Sequence, residues 1–354
     1  MNRRLARISV SLLLIALAAV LCASADERTA AQKAWFPLGE GTDLFVACLT
    51  QYEGRLIAAG QFRTADGDSA YRVAAWDGSR WEPLGFGLDY SALALCAYEG
   101  RLIAGEHFIV SPGEPPEPFA EVWDGRTWAP LWGPESGVEA LAVYKGKLIA
   151  GGMFTSVDGH AANHVAAWDG SRWEPLGEGV NGDVAALCVY EGRLVAGGYF
   201  TSAGGGPANH VAAWDGRTWT RLGGGTNGCV LALTVHDGRL IAGGTFSTAG
   251  GVIARGVAAW DGTGWSGLAE GTNGFTFALA SYRGKLVAGG DFKKAGGIGV
   301  GYVAAWDGSR WYDLAGGMNQ PVRALLPFRG HLVAAGYFTT AGGTPANHIA
   351  AWRD

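Results

Sequence analysis

The sequence has few charged residues and no excess of basic side chains. Asp, Glu, Lys and Arg make up 17% of its 354 residues, whereas about 25% is usual for soluble domains. The formal net charge of −5 provides none of the basic surface that nucleic-acid binding requires, so we expect no nucleic-acid partner. After residue 25 no apolar run approaches the roughly 20 residues that a membrane-spanning helix needs.

Recognisable catalytic and metal-binding motifs are also missing. There is no Gly-x-Ser-x-Gly nucleophile motif and no clustered zinc-ligand spacing, so we predict no catalytic residue, no bound metal and no cofactor. The closely spaced pair Asp66 and Asp68 is compatible with acid–base chemistry or with a calcium site. In a loop this rich in glycine we expect the two carboxylates to be turn residues, with calcium as the alternative.

The N-terminus has the three parts of a secretory signal peptide. Three arginines precede an apolar run at 8–21, and a small-residue cleavage site follows it. We therefore predict that residues 1–25 are removed, that 26–34 form a short linker, and that the protein is periplasmic or extracellular. An uncleaved anchor is the alternative. Lipid attachment at Cys22 is disfavoured, because Leu21 is bulky where such signals have a small residue.

Glycine and tryptophan are abundant. The 58 glycines amount to about 16% of the chain against a usual ~7%, and the 15 tryptophans argue against disorder, because disordered chains are poor in aromatics. Fourteen of these tryptophans recur twice in each of seven repeats, 45–47 residues apart, and only Trp132 lies off the pattern. The repeats begin at Trp35, Trp81, Trp128, Trp173, Trp219, Trp265 and Trp311.

Each repeat contains four short apolar runs, as at Val184–Tyr190, Leu194–Phe200, His210–Trp214 and Trp219–Leu222. Such runs have the length of strands, and two-residue turns ending in glycine or Asp-Gly turns connect them, which indicates hairpins. The repeats therefore predict an all-β, seven-bladed β-propeller with four antiparallel strands per blade. A solenoid is the alternative, but it would need polar capping repeats.

The two ends of the repeat array predict how the ring closes. A lone fourth strand, Trp35–Leu38, precedes the first complete unit, and the last repeat, Pro321–Trp352, stops after its third strand. Pairing the two would complete the seventh blade and leave no open edge. We predict one propeller domain over 35–354 and expect a monomer.

The periodic tryptophans and the cysteines both receive structural interpretations. A tryptophan buries about 200 Å², so fourteen of them at fixed positions are typical of packing between blades. Disulfides need Cα atoms within about 7 Å, whereas packed sheets lie about 10 Å apart. We therefore predict that Cys48, Cys96, Cys188 and Cys229 are buried free thiols.

The repeats resemble those of kelch propellers. Gly-Gly doublets such as Gly197-Gly198 end an apolar strand, and a Trp-Asp-Gly-x-x-Trp turn, as in Trp168–Trp173, follows. The Asn-His-Val-Ala-Ala-Trp phrase is more similar to the propeller of the fungal cortical polarity marker family and its exported bacterial relatives. The resemblance implies the fold, and no residue here matches the copper site of the kelch-related galactose oxidase.

One stretch departs from the repeat pattern and carries the predicted site. The second repeat replaces its usual Thr-Ser-Ala-Gly-Gly loop with a segment rich in glutamate and proline, and acids and aromatics surround it. Because the long loops of a propeller share one face, we predict a ligand-binding patch there. Its candidate residues are Asp66, Asp68, Phe86, Asp89, Tyr90, His107, Glu114, Glu117, Trp132 and Glu135.

The sequence thus favours an exported, non-catalytic binding module. Its partner would be a glycan, a peptide, or an extracellular or envelope protein. Two alternatives stay open: a secreted propeller enzyme acting on glycans as hydrolase, lyase or oxidase, and a purely structural extracellular repeat protein.

Overall fold

The repeats fold into seven four-stranded antiparallel sheets, seen in a computed structural model that describes residues 33–107 and 119–354. The inner strand of each sheet packs against the inner strands of its two neighbours, and the first packs against the last. The chain is therefore a seven-bladed β-propeller, as the repeats predict. No helix in these two ranges has the length and apolar character needed to span a membrane.

The blades are numbered along the chain. The inner strands, around the central channel, are Val46–Tyr52, Ser91–Tyr98, Val138–Tyr144, Val184–Tyr190, Val230–His236, Phe275–Tyr282 and Val322–Phe328. The second strands are Arg55–Gly60, Arg101–His107, Lys147–Gly152, Arg193–Gly198, Arg239–Gly244, Lys285–Asp291 and His331–Gly336. The third strands are Val73–Trp76, Ala120–Trp123, Val165–Trp168, Val211–Trp214, Val257–Trp260, Val303–Trp306 and Ile349–Arg353. The outer strands are Trp81–Pro83, Trp128–Pro130, Trp173–Pro175, Trp219–Arg221, Trp265–Gly267, Trp311–Asp313 and, in blade 7, Ala34–Pro37.

The loop between the second and third strands carries a two-stranded hairpin in six blades. These hairpins pair Thr64–Ala65 with Asp68–Ser69, Ser156–Val157 with His160–Ala161, Ser202–Ala203 with Gly206–Pro207, Thr248–Ala249 with Val252–Ile253, Lys294–Ala295 with Ile298–Gly299, and Thr340–Ala341 with Thr344–Pro345. The corresponding part of blade 2 includes 108–118, which lies outside the described residues. We call the face bearing these loops and the connections between blades the long-loop face, and the opposite one the hairpin face.

Closure of the ring follows the predicted pairing. Ala34–Pro37 runs antiparallel to Ile349–Arg353, with Trp35 opposite Trp352 and Phe36 opposite Ala351. The indole of Trp35 donates a 2.8 Å hydrogen bond to the carbonyl of Leu314, in the loop that follows blade 6. The first strand of the domain therefore completes blade 7 and leaves that blade with the same four strands as the others.

The periodic tryptophans form the packing between blades. Twelve of the fourteen are buried, while Trp128 and Trp168 are partly exposed. Within each blade the two rings lie 5.4–5.6 Å apart. Each outer tryptophan also donates its indole N–H to a carbonyl of a preceding loop, as Trp219 does to Leu176 at 2.7 Å. This hydrogen bond satisfies the polar atom of a large apolar side chain. Each outer tryptophan therefore fills the core and also links its blade to the preceding loop.

The recurring Asn-His pairs have a structural role in the loops that precede the third strands. Asn209 donates its side-chain amide to the carbonyl of Gly224 at 3.0 Å, and the His210 ring nitrogen lies 3.2 Å from the carbonyl of Gly198. His210 has a φ of 64°, a left-handed conformation that few residues other than glycine adopt. Its ring hydrogen bond helps to hold this conformation.

The four described cysteines are free, as predicted, but they are partly exposed rather than buried. Cys48, Cys96 and Cys188 lie on inner strands, Cys48 in the lining of the channel, and Cys229 directly precedes an inner strand. Burial of the thiol itself nevertheless raises the pKa of Cys48 to about 12 and that of Cys96 to about 11. Such thiols are weak nucleophiles near neutral pH, because the thiolate is the reactive form.

Peptide mapping tests this assignment of the thiols. After unfolding in denaturant without reductant, we expect each of the four cysteines to take up one alkylating group. A disulfide-linked pair of peptides from any two of them would contradict the assignment. A fully reduced sample provides the reference for complete alkylation.

Candidate functional site

Two aromatic side chains, Phe86 and Trp132, project from the long-loop face at equivalent positions of successive repeats. Each lies in the loop that follows an outer strand. The same position holds Glu40, Glu178 and Glu270 in three other repeats and Gly224 and Gly316 in the remaining two. Phe86 is 96% exposed and Trp132 is 53% exposed. Both rings therefore present apolar surface to solvent.

Both rings line one cleft on the outer side of blade 2. It has a volume of about 400 Å³, which is within the range of ligand pockets. Its lining combines three aromatic side chains with two carboxylates. The lining residues are Phe86, Gly87, Asp89, Glu121, Thr127, Trp128, Pro130 and Trp132. The structure therefore brings together three of the predicted residues, Phe86, Asp89 and Trp132.

Glu121 is the residue of this cleft that the sequence analysis missed. It belongs to the third strand of blade 2, at the position where each of the other six blades has a fully buried alanine, such as Ala74. Glu121 is only 6% exposed, and an isolated carboxylate is unfavourable in such surroundings. Burial raises the pKa of Glu121 to about 7, and the charge of Asp89 adds to the rise. The sequence feature that could have identified Glu121 is a glutamate at a repeat position where the other six blades have alanine.

A second buried carboxyl group, Glu106, lies on the adjoining second strand. Its side chain is 0% exposed. Burial raises the pKa of Glu106 to about 9, and the nearby charge of Glu121 raises it further. One carboxyl oxygen accepts a long hydrogen bond, 3.4 Å, from the Tyr90 amide, whereas the other has no partner among the described residues. A buried oxygen without a partner is uncommon in native proteins.

Glu106 stands where the other six blades have glycine. A Cβ atom at those glycines would lie 1.9–2.3 Å from the carbonyl oxygen of the residue that precedes the glycine's pairing partner, closer than any real contact. Blade 2 accommodates the side chain with Ala92 opposite Glu106 and with an additional pair, Ser91 and His107, at the end of the ladder. The sequence pattern showed this departure from the glycine doublet. The proximity of Glu106 to Glu121, however, arises only because their two strands are neighbours in the sheet.

The remaining predicted residues lie elsewhere. Asp66 accepts hydrogen bonds from the amides of Glu40 and Trp81, at 2.7 and 2.8 Å, and Asp68 is exposed on the small hairpin of blade 1. Glu135 accepts hydrogen bonds from the Ser156 hydroxyl and, at 2.9 Å, from the Gly159 amide.

These contacts give Asp66 and Glu135 loop-stabilising roles. Similarly, the side-chain oxygen of Asn181 in the next blade accepts hydrogen bonds from the amides of Thr201 and Ser202. His107 faces the channel, where its ring nitrogen lies 3.9 Å from Glu139. Glu114 and Glu117 fall outside the described residues. In the described parts of the chain, no group of three or more His, Cys, Asp or Glu residues is placed to hold a metal ion.

Comparisons with known proteins agree with the fold. A family model described as "Domain of unknown function (DUF5122) beta-propeller" matches residues 192–212. No curated protein matches the sequence.

Three solved structures show the same architecture, each covering 91% of this chain. The designed Ika8 protein is 19% identical with a TM-score of 0.56, and 100% of that chain is covered. The WD40 β-propeller domain of Doa1 is 13% identical, with a TM-score of 0.56 and 97% of that chain covered. The extracellular domain of BT4673 from B. thetaiotaomicron is 10% identical, with a TM-score of 0.61 and 40% of that chain covered. By its fold, this chain is similar to known β-propellers.

Proposed function

We propose that this protein is an exported binding module that holds a glycan in the blade 2 cleft. The observation that carries the proposal is the exposed aromatic pair, Phe86 and Trp132, in the lining of a cleft that also contains the buried Glu121. The apolar C–H face of a sugar ring packs on an aromatic face, whose π-electrons attract the weakly positive hydrogens. Carboxyl groups in a partly apolar cleft bind sugar hydroxyls and set their orientation.

The charge of the cleft favours a neutral or amino sugar over an anionic ligand. Among the described residues, its lining includes Asp89 and Glu121 but no Lys or Arg, so an acidic group would meet repulsion without a compensating cation. Export remains part of the proposal: it depends on the signal-like residues 1–25, and the extracellular origin of one structural relative supports it. We also propose that the repeats are kelch-like, on the strength of their Gly-Gly doublets and Trp-Asp-Gly turns.

Glycan binding is tested with the purified protein on an array of neutral, amino and acidic oligosaccharides. We expect binding to neutral or amino sugars, and we expect Trp132→Ala and Phe86→Ala each to raise the Kd at least tenfold, about 1.4 kcal/mol. Each variant removes one stacking surface and little buried area. Glu178→Ala and Glu270→Ala change the equivalent position of other repeats and should leave the Kd unchanged. Binding to peptides alone, or equal Kd values for all four variants, would contradict the proposal.

An enzyme acting on glycans is the second candidate, and the buried pair Glu106 and Glu121 specifically favours it. A protonated carboxyl group beside an ionisable one is the arrangement of general acid–base catalysis on glycosidic bonds. Incubating the bound oligosaccharide with the protein and measuring new reducing ends separates the two functions. If turnover occurs, Glu121→Gln should abolish it while binding persists; if no product forms, the binding module stands.

A further inference from the structure

The central channel carries a second polar feature, which is unrelated to the blade 2 cleft. Every inner strand has a β-bulge at its second or third residue, where the pairing register shifts, as between Val322 and Ala324. The seven bulged residues all line the channel. Five of them are Ala, Leu or Phe, and two are charged: Glu139 in blade 3 and Arg323 in blade 7. A bulge re-aims a side chain, and here it presents one charge of each sign to the channel.

The two charges lie on opposing walls. In a ring of seven blades, blades 3 and 7 are separated by two blades on one side and by three on the other, so they are nearly as far apart as the ring allows. Glu139 and Arg323 form no ion pair within 4 Å with each other, and Arg323 forms none with any other described carboxylate. The described lining of the channel therefore has an acidic wall and a basic wall with a cavity of about 420 Å³ between them.

The basic wall is preorganised for a carboxylate. The guanidinium of Arg323 stacks on the ring of Phe277, 4.7 Å from its centroid, which orients the planar group. Its Nε atom is buried and has no hydrogen-bond partner in the described parts of the chain. Such a guanidinium offers N–H donors that match the two oxygens of a carboxylate.

The acidic wall is suited to an ammonium group. The Glu139 side chain is 19% exposed, and burial raises its pKa to about 6, with the charge of Asp183 adding to the rise and that of Arg323 opposing it. Asp183, in the neighbouring blade, lies 3.4 Å from a ring nitrogen of His164. The carboxylates of Glu139 and Asp183 repel each other, and a cation bound at Glu139 would relieve that repulsion.

We propose that the channel binds a small zwitterion, an α-amino acid or short peptide, with its carboxylate on Arg323 and its ammonium group toward Glu139. Opposite charges on facing walls complement a ligand that carries both charges. The Leu and Ala side chains around them exclude part of the water, which strengthens both interactions. The cavity volume is within the range of small-molecule sites.

Three matched probes test the proposal by calorimetric titration of the full chain near neutral pH. Glycylglycine carries both charges, N-acetylglycylglycine carries only the anion, and glycylglycinamide carries only the cation. We expect glycylglycine to bind at least tenfold more tightly than either capped probe. Absence of binding by all three probes at millimolar concentration, or equal binding of capped and uncapped probes, would overturn the proposal.

Variants assign each charge to its wall. Arg323→Met should abolish the preference for glycylglycine over glycylglycinamide, and Glu139→Gln should abolish the preference over N-acetylglycylglycine. Arg310→Met removes an exposed arginine on the hairpin face and serves as the control. Retention of wild-type preferences in both channel variants would contradict the proposal. If Arg323→Met fails to fold, Arg323→Lys and the comparison of probes on the unaltered chain decide the question.

Discussion

Replacement of Glu106 by Gln should make the protein more stable than the wild type at alkaline pH. At about pH 5 the two proteins should have nearly the same stability. Glu106 has a pKa of about 9 in the folded state, against an ordinary value of 4.5. The folded state therefore holds this proton more tightly than the unfolded chain does. By linkage, the free energy of unfolding falls as the pH rises between these two values.

The expected size of this effect is large. Each pH unit in that window changes the free energy by at most about 1.4 kcal/mol for one group, so the wild-type protein should lose roughly 4 kcal/mol between about pH 5 and pH 8 from Glu106 alone. Gln has the same shape and no titration, and the difference between the two proteins isolates the contribution of this carboxyl group.

Urea unfolding followed by tryptophan fluorescence, repeated across pH 5–9, measures this difference. Glu178→Gln, in an exposed loop, is the matched control and should follow the wild-type curve at every pH. If the stability of Glu106→Gln also followed the wild-type curve within about 0.5 kcal/mol, the conclusion that Glu106 is a buried carboxyl group with a raised pKa would be wrong.

Replacement of Trp35 by Ala should destabilise the whole ring, although Trp35 lies in the first strand of the domain. Trp35 is 4% exposed, its ring lies 5.4 Å from that of Trp352, and its indole bonds the Leu314 carbonyl. Truncation of a buried tryptophan costs about 3–5 kcal/mol. Loss of this anchor would also free Ala34–Pro37 and expose the Ile349–Arg353 edge.

Chemical unfolding and amide hydrogen exchange test this expectation together. Unfolding should show the loss in free energy, and the amides of Ile349–Arg353 should exchange faster in Trp35→Ala. Trp219→Ala removes the equivalent ring of an interior blade and should lower stability without that local exchange. Trp132→Ala removes an exposed ring and should change stability by less than about 1 kcal/mol. Unchanged exchange at 349–353 in Trp35→Ala would argue against closure by this strand.

The fold was predictable because its signals are local and repeated. A turn such as Glu191-Gly192 needs a glycine with positive φ, 70° at Gly192, and seven copies of this requirement leave little ambiguity about the strands that flank it. The closing strand was also predictable, since Trp35–Leu38 and the last repeat are complementary parts of one unit. The partial exposure of the cysteines was not, because it depends on how neighbouring blades pack around each thiol.

The candidate site was only partly predictable. Trp132 was visible as the tryptophan outside the repeat, and the structure places it with Phe86 and Asp89 around one cleft. Glu135 also belongs to the irregular stretch of the sequence, but its carboxylate accepts a hydrogen bond from a hairpin loop. Glu121 was overlooked because a single glutamate in a strand has many ordinary explanations. Its meaning depends on the burial of that position, where the other six blades have alanine.

The amino-acid sequence by itself determined the strand pattern, the number of blades and the position of the irregular blade, because hydrophobic spacing and turn chemistry act between residues close in the chain. Only the tertiary structure decided which charges share one buried region or one channel. Glu106 and Glu121 lie on different strands, and Glu139 and Arg323 on blades 184 residues apart in the chain. Burial in the assembled ring raises the pKa values of the three glutamates. It also leaves one oxygen of Glu106 and the Nε atom of Arg323 without a partner among the described residues.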